Sequence, residues 1–123
     1  MEVQVFLATP KMFKSIYTYM KKVSITVKRI VIHQDLIDQY ENHIEHACMM
    51  KEGQVFIANG NQKPLGFCES AWESVSPFVK ALSEGVKVFY GGWMKKEGTA
   101  MISCNDGFRP VSFLLEVLDE EVE

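Results

Sequence analysis

The sequence lacks several features that would assign a function at once. Its 123 residues contain only three cysteines, and none of them forms a C-x-x-C pair. Such pairs make most zinc motifs recognisable, and an even number of closely spaced cysteines is typical of secreted disulfide frameworks. The sequence also contains no glycine-rich phosphate loop and no Ser-His-Asp spacing. We therefore do not expect a secreted disulfide scaffold, and a reducing cytoplasm is the expected location.

An excess of basic charge and a long apolar run are also missing. Thirteen Lys and Arg residues stand against 16 Asp and Glu residues, which gives a net charge of −3. No basic face is present for a phosphate backbone, so we expect no nucleic-acid partner. No apolar run approaches the roughly 20 residues that span a bilayer, so we expect no membrane partner. The first ten residues carry an acid where a secretory signal would be basic, which again favours the cytoplasm.

The most strongly patterned stretch of the chain predicts a helix over residues 68–84. Ser70 and Glu73 stand at capping-box spacing near its start, and Gly85 favours its end. Ser76 and Pro77 predict a restart, because an interior proline removes a hydrogen-bond donor and clashes with the preceding turn. The apolar residues recur at helical spacing and form one stripe: Cys68, Ala71, Trp72, Val75, Phe78, Val79 and Leu82.

The remaining patterns predict an α+β fold with a mostly antiparallel sheet, against one face of which this central helix packs. A second helix begins at Asp35 and frays near His46, and Asn105-Asp106-Gly107 predicts a hairpin between the last two strands. The expected strands cover residues 24–32, 54–58, 86–90, 99–104 and 108–118. An N-terminal strand and a helix ending near Lys21 and Lys22 form an extension. The predicted organisation is this extension at 1–22, a single α+β domain at 23–118 and a solvated acidic tail at 119–123.

Three fragments carry a family resemblance. The fragments are C-x4-G-x2-F from Cys48 to Phe56, P-x-G-F-C-x2-A-W from Pro64 to Trp72, and C-x-D-G-x-R-P-V-x-F from Cys104 to Phe113. Together they resemble a family of small uncharacterised prokaryotic proteins, over about residues 24–118. The resemblance implies that members carry cysteines at the three matching positions. It implies no mechanism, since no activity is attached to the family.

Cysteine placement is the strongest indication of chemistry. All three cysteines stand at ends of predicted elements, where compact domains commonly gather functional groups. Cys68 is the candidate catalytic residue, because backbone N–H groups and the macrodipole at a helix N-terminus favour a thiolate. Cys48, Cys68 and Cys104 with His46 form a candidate site for zinc or another transition metal, with N and S ligands. The alternative is that Cys68 and Cys104 are small buried hydrophobic residues.

Arg109, Asp106 and Trp93 are the candidate ligand-binding residues. Arg109 precedes a proline beside a cysteine-bearing turn, and an arginine there is able to hold a carboxylate or phosphate bidentately. Alternatively, Arg109 pairs with Asp106 or Glu69 and only braces the loop. Trp93 follows two glycines, which favours the edge of a pocket or a subunit contact.

These observations leave three classes of function open. The first is a metal- or small-ligand-binding module that uses the three cysteines. The second is a thiol-dependent enzyme or redox protein in which Cys68 is the reactive sulfur. The third is an interaction protein, in which residues 1–22 dock on another copy or on a partner, and a homodimer is the expected form.

Overall fold

A computed structural model describes residues 20–44 and 48–123 of the chain. These residues form a four-stranded antiparallel sheet with two helices. In the sheet the strand order is β2-β1-β4-β3, and each neighbouring pair is antiparallel. The predicted α+β class is confirmed. The elements follow the order β1 (Lys21–Ile30), α1 (Gln34–Tyr40), β2 (Val55–Ala58), α2 (Glu69–Ser83), β3 (Thr99–Ser103) and β4 (Val111–Glu121).

The core lies between one face of this sheet and α2. In β1, alternate residues point to the same face, so Val23, Ile25 and Val27 are all buried. Ile25 pairs with Leu115 and Val27 with Phe113 on β4, which places four apolar side chains side by side. The helix contributes the stripe that its spacing predicted, with Ala71, Val75, Val79 and Leu82 buried and Cys68, Trp72 and Phe78 partly buried against them.

The predicted interruption of α2 at Pro77 is wrong, because the helix runs without a break from Glu69 to Ser83. Pro77 has no N–H to donate to the carbonyl of Glu73, one turn earlier. Both residues lie on the exposed face of the helix, where water is able to satisfy the freed carbonyl. The predicted capping box is also wrong, since Cys68 is the N-cap and Ser70 lies within the first turn.

The predicted strand at 86–90 is also absent, so the sheet of the described residues has four strands where five were expected. Val86 and Val88 are more than 40% exposed, and residues 86–90 join no neighbouring strand. Val86 and Val88 are β-branched, which suits a strand. Residues with positive φ flank this segment, including Gly85 before it and Gly91 after it, and they turn the chain at both ends. Residues 84–98 therefore form a loop between α2 and β3.

Several boundaries also differ from those predicted. Lys21 and Lys22 open β1, and so do not end a helix. β4 continues to Glu121, which brings Asp119 within 3.7 Å of Lys21 in an ion pair, so residues 119–121 of the predicted tail belong to the strand. The helix expected over 35–46 is shorter, since α1 ends at Tyr40. The predicted strand at 2–8, the helix that follows it and His46 lie outside the described residues, and the division into extension and domain stays a prediction.

Neither α1 nor α2, the helices of residues 20–44 and 48–123, has the length and apolar character that crossing a membrane requires.

Replacing Ser83 should stabilise the protein. This residue is fully buried at the end of α2, and its Oγ has no hydrogen-bond partner among the described residues. Because an unsatisfied buried hydroxyl costs about 1–3 kcal/mol, we expect Ser83→Ala to raise the free energy of unfolding by about 1 kcal/mol. Denaturant unfolding measures the change. Ser76→Ala, in the same helix but partly exposed, controls for the higher helix propensity of alanine. A loss of stability in Ser83→Ala alone would mean that the hydroxyl has a partner.

Candidate functional site

A cavity of about 290 Å³ lies where the start of α2, the β3–β4 loop and the chain before β2 come together. Cys48, Cys68 and Cys104 all line it, and each is a free thiol. The wall is therefore assembled from three distant parts of the sequence. The other described residues that line it include three polar ones (Ser70, Asp106 and Arg109) and five apolar ones (Ile44, Met50, Ala71, Val111 and Phe113).

Cys68 is the thiol whose environment most favours the ionised form. It is the N-cap residue of α2, and its Sγ lies 3.3 Å from the hydroxyl oxygen of Ser70. Partial burial raises the pKa of the Cys68 thiol, but the Ser70 hydroxyl and the backbone N–H groups of Ala71 and Ser70 lower it by more. The pKa of the Cys68 thiol therefore lies below its ordinary value. The Cys68 side chain does not form an N-cap hydrogen bond with the backbone of α2. Cys68 is thus a partly exposed thiol that is able to act as a thiolate.

The other two sulfurs accept hydrogen bonds from the backbone near them. The N–H of Val111 donates to Cys104 Sγ at 3.3 Å, and the N–H of Cys104 donates to the Val111 carbonyl at 3.0 Å. Cys104 therefore closes the hairpin between β3 and β4. Cys48 is exposed, and its Sγ accepts a long hydrogen bond of 3.5 Å from the N–H of Met50. Both sulfurs line the cavity and also accept a hydrogen bond from the backbone beside it.

Arg109 is held by an acid that the sequence did not indicate. Its two terminal nitrogens contact the two carboxylate oxygens of Glu41 at 3.0 and 2.9 Å. The hydrogen bonds that Arg109 donates to this carboxylate are the main cause of its raised pKa. The expected pairing with Asp106 or Glu69 is thus wrong in its partner, although the bracing role is right. This bidentate pair already occupies both terminal nitrogens of Arg109. The positive charge of the guanidinium is therefore balanced by Glu41, and these nitrogens are not available to bind an anionic ligand in the cavity.

Asp106 organises the β3–β4 loop from within. Its Oδ1 accepts hydrogen bonds from the N–H groups of Phe108 at 2.8 Å and Arg109 at 3.2 Å. This is the local side-chain-to-backbone pattern for which aspartate is favoured in turns. The hairpin predicted from Asn105-Asp106-Gly107 is therefore present, but as a loop over residues 104–110 and not as a two-residue turn.

The remaining predicted site residues do not join this cavity in the described structure. Trp93 lies in the loop of residues 84–98, is 45% exposed and packs against Tyr90, with 5.4 Å between ring centroids. No group of three or more His, Cys, Asp or Glu side chains within residues 20–44 and 48–123 is placed to hold a metal ion. His46 lies outside these ranges, so the four-ligand metal site stays a prediction.

Glu41 is the site residue that sequence reasoning missed. It directly follows α1, and 68 residues separate it from Arg109. No local spacing links two residues so far apart, and several other acids were equally available as partners for Arg109.

No family model, no curated protein and no solved structure matches this chain. The resemblance to the family of small prokaryotic proteins therefore stays a prediction, and the site itself carries the functional argument.

Proposed function

We propose that the protein binds a small molecule in the cysteine-lined cavity and presents the Cys68 thiolate to it. The observation that carries this proposal is the position of Cys68, a thiol of lowered pKa, in the wall of a cavity that Cys48 and Cys104 also line. Concave sites with a largely apolar wall and a few convergent polar groups are the usual form of small-molecule sites. Perturbed pKa values cluster at such sites.

The surroundings of Cys68 support a binding role over simple burial. Phe113 and Val111 form a buried floor, while Ser70 and Asp106 are exposed at the rim. The bidentate Arg109–Glu41 pair attaches the β3–β4 loop to the chain that follows α1, so this part of the wall is held by two hydrogen bonds. The cavity thus has an apolar base, a braced loop at its edge and the Cys68 thiol in its wall.

The test measures how fast iodoacetamide alkylates each cysteine as a function of pH, with the modified residues identified by mass spectrometry. Only the thiolate reacts, so the reaction profile of Cys68 should have its midpoint at lower pH than the same cysteine in the protein unfolded by guanidinium. Ser70→Ala should move this midpoint to higher pH, because the hydroxyl that lowers the pKa of Cys68 is removed.

Ser74→Ala is the matched control, since Ser74 lies in the same helix and does not line the cavity. Its reaction profile should coincide with that of the unchanged protein. If Cys68 reacts with the same midpoint in the folded and unfolded chains, the thiol is not activated and the proposal fails.

The second candidate function is a thiol-dependent enzyme that uses the same site, with Cys68 as the catalytic thiol. The lowered pKa of Cys68 favours this candidate. Metal binding by the three cysteines with His46, self-association as a homodimer and a cytoplasmic location stay predictions.

A further inference from the structure

A second cavity adjoins the first at Cys68. It has a volume of about 580 Å³, and three of the residues that line it, Cys48, Met50 and Cys68, also line the first cavity. Cys68 therefore lies on the border between two spaces and is accessible from both. A ligand that reacts with this sulfur has room to extend to either side of it.

The two cavities differ in chemical character. The second is lined by Met49, Met50 and Phe56 beside Gly66, and none of the described residues in its wall is charged. Its one amide side chain, Gln54, already accepts a hydrogen bond of 2.7 Å from the backbone N–H of Lys51. Methionine side chains are flexible and polarizable, and they adapt to apolar ligands of varied shape. This cavity suits a hydrocarbon chain.

The first cavity adds the polar groups that the second lacks. Ser70, Asp106 and Arg109 line it together with apolar residues, and Cys68 lines both cavities. The Cys68 sulfur is thus accessible from an apolar space and from a space that also contains charged groups. That arrangement fits a molecule with an apolar chain at one end, a polar portion at the other and a thiol-reactive carbon in the middle.

From this arrangement we propose that the protein accepts an acyl group on Cys68 from an acyl thioester, with the acyl chain in the methionine-lined second cavity. This inference rests on the proposed function, because it requires the Cys68 thiolate. The Sγ–carbon bond forms at the carbonyl carbon, and the bond between that carbon and the departing sulfur breaks. The departing thiolate keeps the electron pair and takes a proton from water, so the step needs no oxidant, reductant or metal.

The start of α2 supplies groups suited to this step. The N–H groups of Ser70 and Ala71 lie in the first turn of the helix, where amides have no partner within the helix. They are the donors available to a carbonyl oxygen that becomes negative during attack by Cys68, and the same groups lower the pKa of this thiol.

The test compares two thioesters of N-acetylcysteamine, one with an octanoyl group and one with an acetyl group. Mass spectrometry follows S-acylation of Cys68 at fixed pH. We expect the octanoyl group to transfer at least about tenfold faster, since burial of two methylene groups alone accounts for such a ratio. Met49→Glu should reduce this ratio, because it puts a charge into the apolar wall at a position that is 79% exposed and so tolerates substitution.

Two features make the outcome decisive. Any change that Met49→Glu causes in the pKa of Cys68 affects both thioesters equally, so the ratio isolates chain binding. Leu65→Glu is the matched control, since Leu65 is fully exposed, precedes Gly66 and lines neither cavity. Its ratio should equal that of the unchanged protein.

Equal transfer of the two groups, or no transfer to Cys68, overturns this inference. If iodoacetamide still alkylates Cys68 with a lowered midpoint, the proposed function survives that result. If the midpoint is ordinary, both fail together.

Discussion

Phe113→Ala is expected to lower the free energy of unfolding by about 3–5 kcal/mol, which is the usual cost of truncating a fully buried aromatic residue. Phe113 has no exposed surface and lies near the start of β4, where it pairs with Val27 and Ile102 of the two neighbouring strands. Its ring also packs on that of Phe67, with 5.3 Å between the centroids. The substitution removes these contacts and leaves a cavity in the apolar layer between the sheet and α2.

Leu114→Ala is the control for this measurement. Leu114 is the next residue of β4, points to the opposite face of the sheet and is half-buried. Denaturant unfolding of the two variants should therefore give clearly different losses, with that of Leu114→Ala the smaller. Similar losses would mean that both faces of the sheet are covered to the same degree.

Gly98→Ala is expected to cost roughly 2–5 kcal/mol, from two effects that add. Gly98 has a φ of +77°, a region in which a residue with a Cβ costs about 1–2 kcal/mol. A Cβ at this position would also lie 2.9 Å from Cγ1 of Val117, and overpacking typically costs 1–3 kcal/mol. The backbone has little freedom to move away, because Gly98 donates to Lys87 at 2.8 Å and accepts from Val117 at 3.0 Å.

Gly91→Ala separates the two effects. Gly91 has a similar φ of +66°, but a Cβ there meets no atom within 4 Å. Thermal or denaturant unfolding should show only the backbone strain, about 1–2 kcal/mol. If the two alanine variants are equally stable, the close approach of Gly98 to β4 does not contribute.

The parts of the fold that the sequence predicted well are those governed by neighbouring residues. Helical spacing located α2, because the residues that it buries recur along the same stretch of chain. The turn chemistry of Asp106 located the hairpin between β3 and β4. The strand expected at 86–90 failed because β-branched residues also suit an extended loop, and such a segment becomes a strand only where it pairs with a neighbouring one.

The candidate site could be predicted only in part for the same reason. Cys68 became a candidate because of its place before α2, and groups within three residues of it lower its pKa. The Arg109–Glu41 pair and the second cavity depend on how distant segments meet. Residue spacing and composition do not indicate which distant segments come into contact. The apolar cavity beside Cys68 could therefore be found only from the structure.

The pairing of β1 with β4 also determines how the chain has to fold. These two strands are the inner pair of the sheet, yet Ser24 and Glu116, which pair across them, are 92 residues apart. Contacts of such long range are formed late and slow folding, because a large loop must close before they contribute. During synthesis, β1 and its other neighbour β2 emerge long before β4, which covers the second edge of β1. The nascent chain therefore carries a central strand with one edge unpaired until β4 has been made, and this is the stage at which we expect it to be most prone to aggregate.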